Sequence, residues 1–178
     1  MELKKYNPCS EAMDFRKEFK TFSEAWENCP RGDWMLWIAQ KTGVNKRKMT
    51  LAKALCAETV KHLMKDERSL NALKVAKNYG RYKANDEELR HAAAAAYAAD
   101  AAAYTDADAD AAAYAAAAAA YAAADDAYAA DAYAAAAAYA AAYADTDADA
   151  DARKQNQLAT AKICRKILTK DVLRLIKK

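Results

Sequence analysis

Apolar positions recur along this chain at three- and four-residue intervals, and no convincing period-two run interrupts them, so the pattern predicts an all-α fold. Pro8 and Ser10 precede a helix over 11–20, with Ser10 placed to cap its first turn. Thr21 or Ser23 restarts a helix through Ala25 and Trp26, and the Cys29-Pro30-Arg31-Gly32 run ends it, because proline and glycine both interrupt helical pairing. Asp33 is then expected to cap a helix over 33–42 that carries Trp34, Trp37 and Ile38 on one face and stops at Gly43. Over 46–65, Ala52, Leu55, Cys56, Val60, Leu63 and Met64 form an apolar stripe, while Lys46, Arg47, Lys48, Lys53 and Lys61 supply much of the solvated remainder. Asp66 caps a further helix through Leu70, Leu73, Ala76 and Tyr79, which Gly80 closes. On this pattern Trp26, Trp34, Trp37 and Leu55 are structural core, and Arg31, Gly32 and Asp33 form a turn and cap.

The pattern then changes character, because residues 92–152 contain only 40 Ala, 11 Asp, 8 Tyr and 2 Thr. Alanine is the best helix former, so the stretch reads as helical. Beyond Gly80 no further glycine or proline occurs, and breaks have to be written by other residues. Asp86, Asp106, Asp125 and Asp145 recur roughly every 20 residues, each before a run of alanine, and aspartate is favoured at the positive end of a helix. A single rod over 86–152 would be about 100 Å long, whereas helices of about 19 residues, near 30 Å each, suit one small fold. The expectation is therefore a single domain, residues 1–178, built as a bundle of about eight helices. Short amphipathic helices fill 1–85, Ala/Tyr/Asp-rich helices fill 86–152, and a basic helix over 153–178 closes the bundle.

Charge sharpens this division. The net charge is +3, but the aspartates of the Ala-rich stretch give it −11, so the remainder carries +14. The simplest consequence is attraction between two parts of one fold, and the sharper one is a partner site on the acidic part. The cysteines, Cys9, Cys29, Cys56 and Cys164, are scattered, with no CxxC pair and no histidine at zinc-ligand spacing, and read as free thiols of a cytoplasmic protein. The longest apolar runs are alanine, which inserts poorly into membranes, so no membrane segment is expected.

Candidate chemistry changes the picture little. Asp106, Asp108 and Asp110, and again Asp147, Asp149 and Asp151, imitate the start of a calcium loop, but Ala111 and Ala152 stand where that loop needs glycine and Ala117 and Leu158 where it needs glutamate. Asp125, Asp126 and Asp131 follow the aspartate spacing of all-α prenyl synthases, without a second such motif or nearby basic residues. Arg31-Gly32-Asp33 spells an integrin tripeptide, which a turn and cap explain better. Thr105 and Thr146 are too far apart for an ice-binding face. No nucleophile elbow, phosphate-binding glycine loop or paired-histidine motif is present, so neither catalysis nor a metal or other cofactor is expected. The basic residues are spread over several helices rather than gathered in one run, which argues against a nucleic-acid binder. A self-associating helical protein, pairing through Tyr and Ala faces, is the alternative structural reading.

The stretch from Cys9 to Ala57 is similar to a known family. Its carriers are Cys9-Ser-Glu-Ala-Met13, Phe22-Ser-Glu-Ala-Trp26-Glu-Asn-Cys29, Arg31-Gly-Asp-Trp-Met-Leu-Trp37, and a Lys-rich helix ending Ala54-Leu-Cys-Ala57. These resemble the Imm-5-like immunity proteins of bacteria and their phages, whose members also carry downstream Ala-rich helices and a closing basic segment. The resemblance implies an all-helical protein that neutralises a partner toxin by binding it, with no catalytic residues. The acidic residues Asp106, Asp108, Asp110, Asp125, Asp126 and Asp131 are the candidate contacts for a basic surface on such a partner.

Overall fold

The computed structural model describes residues 3–64, 66–103 and 149–176. Among them the chain is all-helical, with seven α-helices, two short 3-10 turns and no strand. The helices are α1 (Ser10–Lys17), α2 (Phe22–Asn28), α3 (Gly32–Lys41), α4 (Lys46–Glu58), α5 (Glu67–Gly80), α6 (Asp86–Ala103) and α7 (Asp149–Leu175). The 3-10 turns are Lys4–Tyr6 and Lys61–Leu63.

Local chemistry sets most of the boundaries. Thr21 caps α2 through a reciprocal box, its hydroxyl accepting from Glu24 N–H at 3.1 Å while the Glu24 carboxylate accepts from Thr21 N–H at 3.2 Å. Asn45 caps α4 and Asp66 caps α5, each accepting a backbone N–H two residues on. Gly43 follows α3 with φ +82°, a conformation that glycine enters at little cost. Several expected boundaries move. Cys9, not Ser10, sits at the cap of α1, which ends at Lys17. Asp33 does not cap α3, because its carboxylate is held by the Arg31 guanidinium and the helix begins one residue earlier at Gly32. The helix expected over 46–65 stops at Glu58 and gives way to the 3-10 turn. Asp86 opens α6 but does not cap it. Asn85 does, accepting from Glu87 and Glu88 N–H at 2.9 Å each, while Glu88 returns a bond to Asn85 N–H. Asp86 instead accepts from Lys46 Nζ and from the Tyr79 hydroxyl, both at 2.9 Å, and these donors hold its carboxyl below the usual carboxylate range. The expected helix starts at Asp106, Asp125 and Asp145 lie outside the described residues.

Two apolar clusters meet on α4. One joins α4, α5 and α6 through Ala54, Ala57, Val60, Ala72, Leu73, Ala76, Tyr79, Leu89, Ala92, Ala93 and Ala96. The α6 members fall at the i, i+3, i+4, i+7 spacing of one helix face, and alanine methyls let α6 lie close on α5. The other cluster joins α2, α3, α4 and α7 through residues including Trp26, Met35, Leu36, Ala52, Cys56, Cys164, Leu168 and Val172. Helix α4 therefore buries two sides: Met49, Ala52 and Cys56 look to one cluster, Ala54 and Ala57 to the other.

That double role corrects three expectations. Leu55 is only half-buried, because the residues flanking it take both inner faces and leave it on the outward side. Lys53, read as solvated, is 4% exposed and donates from Nζ to Gln40 Oε1 at 3.1 Å. Arg47 is also drawn inward, stacking 4.1 Å from the Tyr79 ring and 4.8 Å from the Tyr82 ring while donating to the Tyr79 and Ala84 carbonyls. It thereby fastens the α5–α6 corner, where Tyr82 takes a left-handed φ of 63°.

Candidate functional site: an aromatic cleft at the N-terminal face

Helix α3 presents Met35, Leu36, Ile38 and Ala39 to the core, which leaves Trp34 and Trp37 at the edge of its buried face. Both indoles are half-buried, packed against the second cluster on one side and open on the other. Only Trp26, of the core tryptophans expected, is fully enclosed, at 2% exposure. Its ring N–H donates to Thr169 Oγ1 at 2.8 Å, tying α2 to α7.

The segment before α1 walls the open side. Asn7 turns the chain with φ 55°, its N–H bonded to the Lys4 carbonyl, and Cys9, two residues on, is extended where the chain enters α1. Asn7, Pro8, Cys9, Ala12, Asp33, Trp34 and Trp37 line an open cleft of about 430 Å³. Sharing Pro8, Ala12, Trp34 and Trp37 with it is a small apolar pocket of about 50 Å³, also bounded by Leu3, Phe15, Phe22 and Trp26. Phe15 and Trp34 stack obliquely with centroids 6.0 Å apart, which orients the indole.

A charged pair stands at the rim. Arg31 donates to Asp33 through Nε at 2.9 Å and through a terminal nitrogen, and its guanidinium lies 4.6 Å from the Trp34 ring. The carboxylate raises the Arg31 pKa further, so the cation is permanent. Gly32, between them, lies against Thr160, and this close approach seats the start of α3 on α7. Arg165 adds a second tie, donating to the Cys29 carbonyl at 2.8 Å.

The thiols divide by environment. Cys9 is exposed at the cleft, whereas Cys29, Cys56 and Cys164 are buried and all four are free. Burial pushes the Cys29 thiol up, and the hydrogen bond with Cys56 followed by burial raises Cys164 well above the ordinary range. Both stay protonated at neutral pH and are poor nucleophiles. Titration of the native chain with a thiol reagent is expected to modify Cys9 quickly and the other three only on unfolding. A second fast thiol in the native state would contradict the packing.

Of the residues singled out in the sequence, Arg31, Gly32, Asp33, Trp34 and Trp37 come together here. Asp106, Asp108, Asp110, Asp125, Asp126 and Asp131 lie outside the described residues. Asp149 and Asp151 are in the first turn of α7, and Asp147 lies outside the described residues. Among the described residues no group of three or more His, Cys, Asp and Glu is placed to hold a metal, and no helix is long and apolar enough to cross a membrane. Cys9 and Asn7 were not legible as site residues. The Asn-Pro step ahead of a predicted helix was the available signal for a turn that folds the terminus back. Compared with protein-family models, with curated proteins and with solved structures, the chain matches none.

Proposed function

We propose that this chain is a non-catalytic immunity protein of the Imm-5-like kind, acting in the cytoplasm by binding a partner toxin and occluding its active surface. The observation that carries the reading is the position of the Arg31-Gly-Asp-Trp-Met-Leu-Trp37 block, on which the resemblance chiefly rests. Its two tryptophans stand half-open on a cleft with an arginine at the rim. Tryptophan and arginine are the residue types that dominate binding energy at protein interfaces, most of all when each is held rigid before the partner arrives.

The acidic stretch supplies a second element of the proposal. Packed helices of about 19 residues, begun at Asp106 and Asp125, would join the described ones in one bundle and offer Asp106, Asp108, Asp110, Asp125, Asp126 and Asp131 to a basic partner surface. Charges of that kind steer encounter more than they set final affinity.

The product of the adjacent gene is the partner to test. The chain is expected to co-purify with it and to suppress its toxicity. Trp34→Ala with Trp37→Ala should weaken the complex at least about 30-fold, the factor matching a 2 kcal/mol hot spot. Asp125→Asn with Asp126→Asn should slow association and flatten its salt dependence. Full affinity in the double tryptophan variant removes the cleft from the interface. No complex with the wild-type chain, together with a stable oligomer by light scattering, favours self-association instead.

A further inference from the structure

The solvent side of α7 carries an arrangement that the cleft does not use. Asn156, Thr160, Cys164, Leu168, Val172 and Ile176 are all buried and follow one another at intervals of four. Two residues out of phase, about 200° around the helix, run Lys154, Leu158, Lys162, Lys166, Lys170 and Arg174, all exposed. The buried row is an i±4 ridge of the kind that packs into a neighbouring groove, and the exposed row winds in step with it on the opposite side. Asp171 is the sole acidic residue of α7 beyond Asp151, and its carboxylate is turned to Lys48 and Arg174. Lys154, Lys162, Lys166 and Lys170 form no ion pair among the described residues.

We propose that this row is a binding surface for the phosphate backbone of double-stranded nucleic acid. Successive positions rise by about 6 Å and turn by about 40°, so the row winds around α7, and Lys162, Lys166 and Lys170 lie within about 80° of one another over about 12 Å. Protein interfaces need an apolar centre, and Leu158 is the one large exposed apolar side chain on this helix among the described residues. Phosphate contact needs a row of cations, and on α7 no carboxylate stands within a turn of Lys162 or Lys166, while Asp171 beside Lys170 is engaged by Lys48 and Arg174. In sequence the basic residues look dispersed over several helices, but the period of four sets these along one winding row. Such contacts read no base edges, so binding is independent of sequence and steeply salt-dependent. The inference does not rest on the immunity reading and survives its failure.

The test is fluorescence anisotropy of the full chain with a labelled mixed-sequence DNA duplex of about 20 base pairs, between about 50 and 200 mM salt. Contacts from Lys162, Lys166 and Lys170 predict a slope of log K against log[salt] of about −2.7. Lys162→Gln, Lys166→Gln and Lys170→Gln together should flatten it to near zero and weaken binding at low salt at least about 100-fold. Lys41→Gln, Lys61→Gln and Lys74→Gln remove the same charge from exposed positions elsewhere and should change affinity less than about threefold. No duplex binding at low salt, or equal losses in the two triple variants, overturns the proposal. So does equally tight, ridge-dependent binding of polyglutamate or of phosphatidylserine vesicles, which assigns the ridge to an acidic protein or a membrane.

Discussion

Replacing Trp26 by alanine is expected to destabilise the fold by about 4 kcal/mol, as for large-to-small changes at fully enclosed aromatic positions. The ring is 2% exposed, packs 6.2 Å from Phe22, and holds α2 to α7 through its bond to Thr169. Its removal opens a cavity and strips a distant helix of a tether in one step. Urea unfolding should show a lowered midpoint with an unchanged slope, since the surface exposed on unfolding is nearly the same. Trp37→Ala should cost only about 1–2 kcal/mol, because that indole is half-open to solvent already. Equal losses at the two positions would contradict this division between an anchoring tryptophan and a presented one.

The second large effect belongs to Gly32. A Cβ at this position would fall 2.3 Å from Thr160 Oγ1, 2.6 Å from Thr160 Cβ and 2.7 Å from the Thr160 backbone carbonyl carbon. Rotating the threonine side chain relieves only part of the overlap, since the backbone of α7 cannot yield without moving the whole ridge. Gly32→Val is therefore expected to cost at least about 3 kcal/mol, at the upper end of overpacking penalties. Pairing Gly32→Ala with Thr160→Ala separates the components. Partial recovery of thermal stability is expected, whereas full recovery would place the clash in the side chain alone.

The all-α class, the helices from α1 to α5 and the Thr21, Asn45 and Asp66 termini follow from rules that act within a few residues, where sequence is most informative. Thr21 and Asp66 were readable for that reason. What sequence obscured arose where two tertiary demands met on one helix. Leu55 and Lys53 exchanged their expected places because α4 is buried on two sides, and a single-stripe reading permits only one. Asp33 left its cap because a guanidinium two residues away is a stronger partner than a backbone amide. The period of four in α7 is invisible to a search at 3.6, although its buried members can be read directly once that interval is used. At the cleft, the tryptophans were identified but their degree of burial was not, since only the folding back of Asn7 and Pro8 shows which side remains open. The Ala-rich stretch has almost no side-chain variety to encode its partners, and Ala92, Ala93 and Ala96 show how its beginning is used: methyl groups set the spacing of helices rather than their identity.

The placement of α7 also orders events during synthesis. Helices α4, α5 and α6 are neighbours along the chain and can associate as soon as they emerge, closing contacts of short sequence separation. The face of α3 formed by Met35, Leu36 and Ile38 must wait for a helix encoded more than a hundred residues later. For most of its time on the ribosome the nascent chain is thus half-assembled, with its first apolar surface finished last, and a message truncated before α7 yields a product whose sticky face never finds its cover.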